Sequence, residues 1–232
     1  MTARRSVKAE LARPKIVGVI FSVADLSRAM RLRRPPDFFE LRLDALALHM
    51  GIVKNMIGNL CGPIIITARH PCEGGANALS TRERRALLED FLPHAAYVDI
   101  ELQSMRALAA ILANARARKI GAIISFHDLR GTPSRARLGK IADAARSLGA
   151  DVLKIATRTD TPVQRDRLRK FFADAAPSLS LAAMGIGKLG YQTRLEFFRS
   201  GSVLNYAHLG CGHIAGQPSL ADIRRWTLSV GR

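Results

Sequence analysis

No run of apolar residues in the 232-residue chain approaches the ~18 that a helix needs to cross a bilayer, so no membrane span is expected. Cysteine is scarce. Cys61, Cys72 and Cys211 are odd in number and form no CxxC pair, which excludes a disulfide framework and points to a reducing compartment, the cytoplasm. The first residues, MTARRSVKAELARP, are basic but lack the apolar core of a secretory signal, and Glu10 suits an organelle transit peptide poorly; residues 1–14 read as a short mobile tail. Acidic residues are few, 19 against 36 Lys and Arg, which leaves a formal charge of +17. Aromatics make up 6%, and none interleaves the basic runs RAMRLRR, TRERRALLED, RARKI, SRARLGK and QRDRLRK. Single-strand binders need such stacking platforms, so no specific nucleic-acid partner is expected and the scattered arginines read as a solvated exterior. A small acidic ligand remains as a use for the charge.

What is present is a repeated unit. KIVGVIF (15–21) has strand length and leads into a helical pattern from Ala24 to Arg33 that Pro35 and Pro36 end. DFFELRLD (37–44) alternates, with Phe39, Leu41 and Leu43 on one face and Glu40, Arg42 and Asp44 on the other; a helix over 45–60 follows. PIIITAR (63–69) precedes the Gly-rich loop HPCEGGANAL and the helix STRERRALLEDFLP, where Ser80 or Thr81 can cap and Glu83 can close a capping box. The later pairs are YVDIEL (97–102) with a helix over 104–119, AIISFHD (122–128) with 134–148, and VLKIAT (152–157) with 161–176. LSLAAMG (179–185) with 191–199 and VLNYAHL (203–209) with 218–229 complete the series. Eight strand and helix units of about 28 residues, with no linker and no change of period, predict a single (β/α)₈ TIM barrel over residues 15–232. An open doubly wound sheet would carry a GxGxxG loop after its first strand, and SVADLS contains no glycine.

In such barrels the reacting groups sit at the C-terminal ends of the strands, and inward positions alternate with helix-facing ones. That rule places Glu40 and Arg42 inward on the second strand, Arg69 at the end of the third, Ser125 and His127 on the fifth, Lys154 on the sixth and Met184 on the seventh. Glu73, Arg194 and Gln217 fall in the loops after strands three, seven and eight. Each has a plain structural reading beside the functional one. Lys154 can snorkel from a strand end or serve as an amine nucleophile kept neutral by burial and by the charges of Arg42, Arg69 and Arg194. Glu40 and Arg42 can form an internal ion pair, His127 can be a satisfied core histidine, Arg69 can pair only with Glu73, and Arg194 can be solvated surface. Their convergence on one mouth favours the functional reading, because burying charges of both signs is costly unless a ligand or a reaction uses them. His208, Cys211 and His213 form an HxxCxH cluster that matches no standard zinc spacing, so no metal is expected.

Six segments in register carry a resemblance: ELRLD (40–44), TARHPCEGG (67–75), SFHD with TP (125–133), ADVLKIA (150–156), MGIGKLGYQTR (184–194) and GQ (216–217). The chain resembles the type I 3-dehydroquinate dehydratases, Schiff-base (β/α)₈ lyases of the shikimate pathway and aromatic amino-acid biosynthesis. The resemblance implies that Lys154 forms an imine with the ketone of 3-dehydroquinate, that His127 transfers the proton and that Glu73 orients His127. It implies that Arg194 holds the substrate carboxylate, that Glu40, Arg42 and Arg69 contact its hydroxyl groups, and that Gln217 closes over it. Met184, Tyr206 and His213 fall at the remaining substrate-contact positions. No cofactor or metal is implied, since an iminium is itself the electron sink, and a homodimer is. The chain leaves no room for the shikimate dehydrogenase domain of some relatives, so a monofunctional enzyme is expected. Departures from the pattern are His213 in place of a serine, Ile186 in place of a second methionine, and Tyr206 as the aromatic of strand eight. The alternatives are a non-catalytic anion-binding barrel and an aldolase-like Schiff-base enzyme.

Overall fold

A computed structural model of the chain describes Leu11 and residues 13–230; residues 1–10 and 12, most of the stretch read as a tail, lie outside the described residues. Among the described residues eight strands alternate with helices. The strands are β1 (Lys15–Ile20), β2 (Phe38–Arg42), β3 (Ile64–Thr67), β4 (Tyr97–Glu101), β5 (Gly121–Asp128), β6 (Val152–Arg158), β7 (Leu181–Ile186) and β8 (Leu204–His208). The principal helices are α1 (Val23–Met30), α2 (Met50–Met56), α3 (Thr81–Phe91), α4 (Ala109–Ala117), α5 (Arg135–Ser147), α6 (Pro162–Ala175), α7 (Gly190–Arg199) and α8 (Leu220–Val230). All the ladders are parallel, in the order β7-β6-β5-β4-β3-β2-β1-β8. The outer pair meets through the Val203 N–H donating to the Leu181 carbonyl at 3.1 Å, so the barrel is nearly closed.

The alternation seen in the sequence sorts the strands into two apolar layers. Phe39, Leu41, Ile64, Ile66, Val98, Ile100, Ile124, Leu153 and Ile155 face the helices, where they join Leu26, Leu88, Leu138 and Leu168. Val17, Phe38, Ile65, Tyr97, Ile123, Val152 and Leu204 fill the N-terminal half of the barrel interior, and Leu11, from the predicted tail, is buried with them. The Tyr97 ring lies across Gly121, where a Cβ would come within 2.4 Å of it. Only glycine lets the ring cover that strand. With one end of the barrel packed with hydrocarbon, the polar inward residues are confined to the other.

The helix expected over 45–60 is broken into a single turn at Leu43–Leu46, short 3₁₀ segments and α2. Gly51 and Gly58 weaken a continuous helix, and β2 ends at Arg42 because Asp44 is drawn back to accept the Arg69 N–H at 3.1 Å and the Ala76 N–H at 2.8 Å. The helix expected over 104–119 is likewise shortened to α4. The capping box of α3 forms as read, with Ser80 Oγ accepting from the Glu83 N–H and the Glu83 carboxylate accepting from the Ser80 N–H.

Candidate active site

At the C-terminal ends of the strands the interior opens into a cavity of about 320 Å³. The side chains carried into the candidate site line it: Lys154, Glu40, Arg42, Met184, Tyr206 and His127 from the strands, Arg69 and Glu73 from the segment after β3, and Arg194, His213 and Gln217 from the last two loop regions; Ser125, expected inward on the fifth strand, lies beneath the cavity wall. Lys154 is 4% exposed, so the snorkelling reading does not hold. Its ammonium donates to Glu40 Oε1 at 2.8 Å and to Asp99 Oδ2 at 2.9 Å, and lies 4.0 Å from the Tyr206 ring centroid. Of the arginines expected around this amine, Arg69 shares Asp99 Oδ2 with it, whereas Arg42 is engaged elsewhere. Arg42 forms a fork with Asp44 at 2.9 and 2.7 Å and packs over the Phe21 ring, so the expected pair with Glu40 does not form.

Arg69 does not pair with Glu73. It donates to Asp99 at 2.7 Å, to Glu101 at 3.0 Å and to Ser125 Oγ at 2.6 Å, while Ser125 donates to the second oxygen of Asp99 at 2.6 Å. Burial would raise the Asp99 pKa, but the charges of Arg69 and Lys154 outweigh it and hold the carboxyl well below its usual range. Asp99 and Glu101 were not singled out as site residues. Their signal was present, since Tyr97, Asp99 and Glu101 alternate with Val98 and Ile100 just as the charged face of β2 alternates with Phe39 and Leu41.

His127 sits beside Lys154 across the β5–β6 ladder, in which Ser125 pairs with Lys154. Its Nδ1 is 2.8 Å from Glu73 Oε2, which also accepts the His127 N–H at 2.9 Å; Gln103 donates to the other Glu73 oxygen at 2.8 Å. Burial, then the charges of Arg69 and Lys154, push the His127 pKa well below 6.5 and keep the ring neutral. Burial and the neighbouring charge of Glu101 raise Glu73 to about 7 despite Arg69. With Nδ1 committed to Glu73, Nε2 is the nitrogen left for proton transfer.

Arg194 is not solvated surface. It is 6% exposed on α7, with Nε donating to the Gly185 carbonyl at 2.9 Å, and among the described residues it meets no carboxylate. Burial alone lowers its pKa to about 10. A buried cation without an anion on a cavity wall is a receptor for one. The loop 209–218 brings Gln217 to the rim. Its base is closed by the His208 N–H donating to the Pro218 carbonyl at 3.0 Å, and its far end by the Gly187 N–H donating to the Ala215 carbonyl at 3.0 Å. Gly216, at φ +81°, approaches so near that a Cβ there would lie 2.8 Å from Gly190 Cα. His213 stacks on Phe21 at 4.3 Å between ring centroids, and its Nε2 is 3.7 Å from Asp25.

A parallel barrel whose C-terminal mouth gathers a buried amine, a histidine–carboxylate pair and a free guanidinium is a (β/α)₈-barrel enzyme. The sequence model of the type I 3-dehydroquinases matches residues 22–230. A 3-dehydroquinate dehydratase of Methanothermobacter thermautotrophicus is 32% identical over 198 residues, covering 82% of each chain, and one of Halobacterium salinarum is 33% identical over 198 residues, covering 82% of this chain and 86% of that one. The crystal structure of 3-dehydroquinate dehydratase from Geobacillus kaustophilus superposes with a TM-score of 0.82 at 25% identity, covering 94% of this chain and 91% of that one. The chain belongs to the type I 3-dehydroquinase family.

Proposed function

We propose that this chain dehydrates 3-dehydroquinate to 3-dehydroshikimate through an imine on Lys154, with His127 as the proton-transfer base. The observation that carries the reading is a buried amine and a histidine on adjacent strands, open to one cavity. Attack on the ketone requires the neutral amine, and Glu40, in contact at 2.8 Å, is the carboxylate placed to take the proton, since Asp99 is held as an anion by Arg69. Loss of water from the carbinolamine then gives an iminium. Its nitrogen carries the same charge as the ammonium it replaces, so Glu40 and Asp99 hold it without rearranging. The iminium withdraws electrons from the neighbouring C–H bond, and His127 Nε2 removes that proton. As the ring becomes cationic, Glu73 on Nδ1 stabilises it. The eneamine electrons then expel the β-hydroxyl, to which His127 returns the proton, so that water departs, and hydrolysis of the remaining imine frees the product and the lysine.

Arg194 receives the substrate carboxylate, supported by its lack of any other anion. Glu40, Arg42 and Arg69 orient the ring hydroxyls, Gln217 covers them from the last loop, and Met184, Tyr206 and His213 complete the wall. No metal or cofactor enters these steps. The three exposed, unpaired cysteines support a cytoplasmic setting. A homodimer is carried from the family resemblance and is measured by sedimentation. Borohydride reduction in the presence of 3-dehydroquinate tests the mechanism: mass added to the peptide holding Lys154, together with conjugated-enone absorbance, is expected. Trapping without enone would reassign the chain to another Schiff-base reaction, and enone without trapping would remove the imine.

A further inference from the structure

Arg84 lies on α3, outside the barrel, yet it is 1% exposed. Its Nε donates to the Ala68 carbonyl at 2.7 Å, one terminal nitrogen donates to Ser104 Oγ at 3.2 Å, and the other donates to Glu101 Oε2. The second oxygen of Glu101 accepts from Arg69 at 3.0 Å and from the His70 N–H at 2.9 Å. Arg69 in turn donates at 2.7 Å to Asp99 Oδ2, the same oxygen that receives the Lys154 ammonium at 2.9 Å. Charges thus alternate along one buried chain, Arg84, Glu101, Arg69, Asp99, Lys154 and Glu40, from the helix layer to the amine.

Fold stability alone accounts poorly for this chain. Each buried ion carries a desolvation cost, and apolar replacements of buried ion pairs are often neutral or stabilising. Arg84 also shares its helix face with buried Leu88 and Phe91, a position where a hydrocarbon side chain would pack without that cost. The chain does have a use at its other end. Because Arg69 and Lys154 share a single oxygen of Asp99, the hold of Arg69 on that oxygen sets how firmly the amine is held as a cation. We propose that Arg84 is a positioning residue for the amine: by engaging Glu101 it keeps Arg69 on Asp99, and so limits the grip of Asp99 on Lys154. The inference rests on the imine reading. Without Arg84, the carboxylate of Glu101 draws Arg69 toward itself and leaves Asp99 Oδ2 to the ammonium, which slows its conversion to a nucleophile.

The test uses Arg84→Met and the double variant Arg84→Met/Glu101→Gln, in which the unpaired carboxylate is neutralised while an acceptor for Arg69 and His70 remains. Arg84 is not among the cavity-lining residues. Arg84→Met should therefore lower kcat and the rate of borohydride trapping about tenfold, within the range of couplings in shared networks, with KM changed by less than about threefold. The double variant should recover to within about threefold of wild type. A merely structural arginine would lower Tm, and neutralising its partner would restore Tm, but kcat per folded enzyme and the trapping rate would not move in either variant. Wild-type kcat in folded Arg84→Met, or a double variant no faster than the single, overturns the inference. If Arg84→Met does not fold, the double variant is read against wild type, and a loss beyond that margin overturns it. Absence of trapping in the wild-type protein would instead bring down the imine reading, whatever the Arg84 variants do.

Discussion

Replacing Lys154 by methionine tests catalysis and folding at once. The side chain keeps its bulk and loses its charge, so Asp99 and Glu40 lose a shared cation at 2.9 and 2.8 Å. Removing one partner of a buried ion pair costs about 3–5 kcal/mol. Here the loss is shared unequally. Asp99 retains Arg69 and Ser125, whereas Glu40, among the described residues, retains the weaker contact of the Thr67 hydroxyl at 3.1 Å. The low end, about 3 kcal/mol, is therefore expected, which for a chain of this size lowers Tm by roughly 6–12 °C. The deficit should be larger at pH 8 than at pH 5, because a buried carboxylate left without a cation takes up a proton when one is available. Calorimetry at both pH values measures this, and enone formation measures turnover, which should vanish. Adding Glu40→Gln should recover most of the lost Tm and none of the activity. A Tm within about 2 °C of wild type at both pH values would refute the electrostatic reasoning, since a 3 kcal/mol loss could not hide there. Retained turnover would refute the imine.

Glu73→Gln should lower kcat by about tenfold to a hundredfold and displace the acid limb of kcat/KM, which in the wild type reflects the Glu73–His127 pair with Glu73 at about 7; an unmoved limb assigns it to another group. In stability the two members act oppositely. Glu73, raised on folding, favours the folded state at low pH and loses that contribution as pH rises from 4.5 to about 7, whereas His127, lowered on folding, loses its contribution as pH falls below 6.5. Glu73→Gln should thus flatten the upper limb of the stability curve, and denaturant titrations across pH 4 to 8 read the change. Arg194→Ala should raise KM about 10- to 100-fold, the worth of a charge-assisted contact, while kcat moves less than about threefold; an unchanged KM removes Arg194 from the substrate. His213→Ser should change either constant by less than about fivefold, because the loop is held by its backbone and the stack on Phe21 contributes little; a larger loss would make His213 a substrate contact in its own right.

The architecture was legible because the signal repeats. Eight apolar runs alternate with helical patterns at one period, and within each strand the inward residues follow from the side-chain alternation of two. The same rule found Glu40, Arg42, His127 and Lys154. It was not carried through YVDIEL, where it would have found Asp99 and Glu101, and so the amine was expected among arginines rather than between carboxylates. Partner choice is what alternation cannot supply, because which cation meets which anion depends on strand stagger and on backbone turns such as the one that returns Asp44 to Arg42. Arg84 was read as exterior because it belongs to a basic run, yet its spacing from Leu88 and Phe91 already placed it on the buried stripe. The helix broken around Gly51 and Gly58 was missed because an apolar period outweighed two poor helix formers.

The seam between the last two loop regions has a consequence for how such an enzyme changes over generations. Gly187, Gly190 and Gly216 meet backbone to backbone, so the address of Gln217 is written in three residues without side chains. The neighbouring positions, 211 to 215, are relieved of holding the loop in place and can be exchanged while the wall stays where it is. Specificity can drift there by single substitutions, whereas one methyl group added at Gly216 would displace the whole rim.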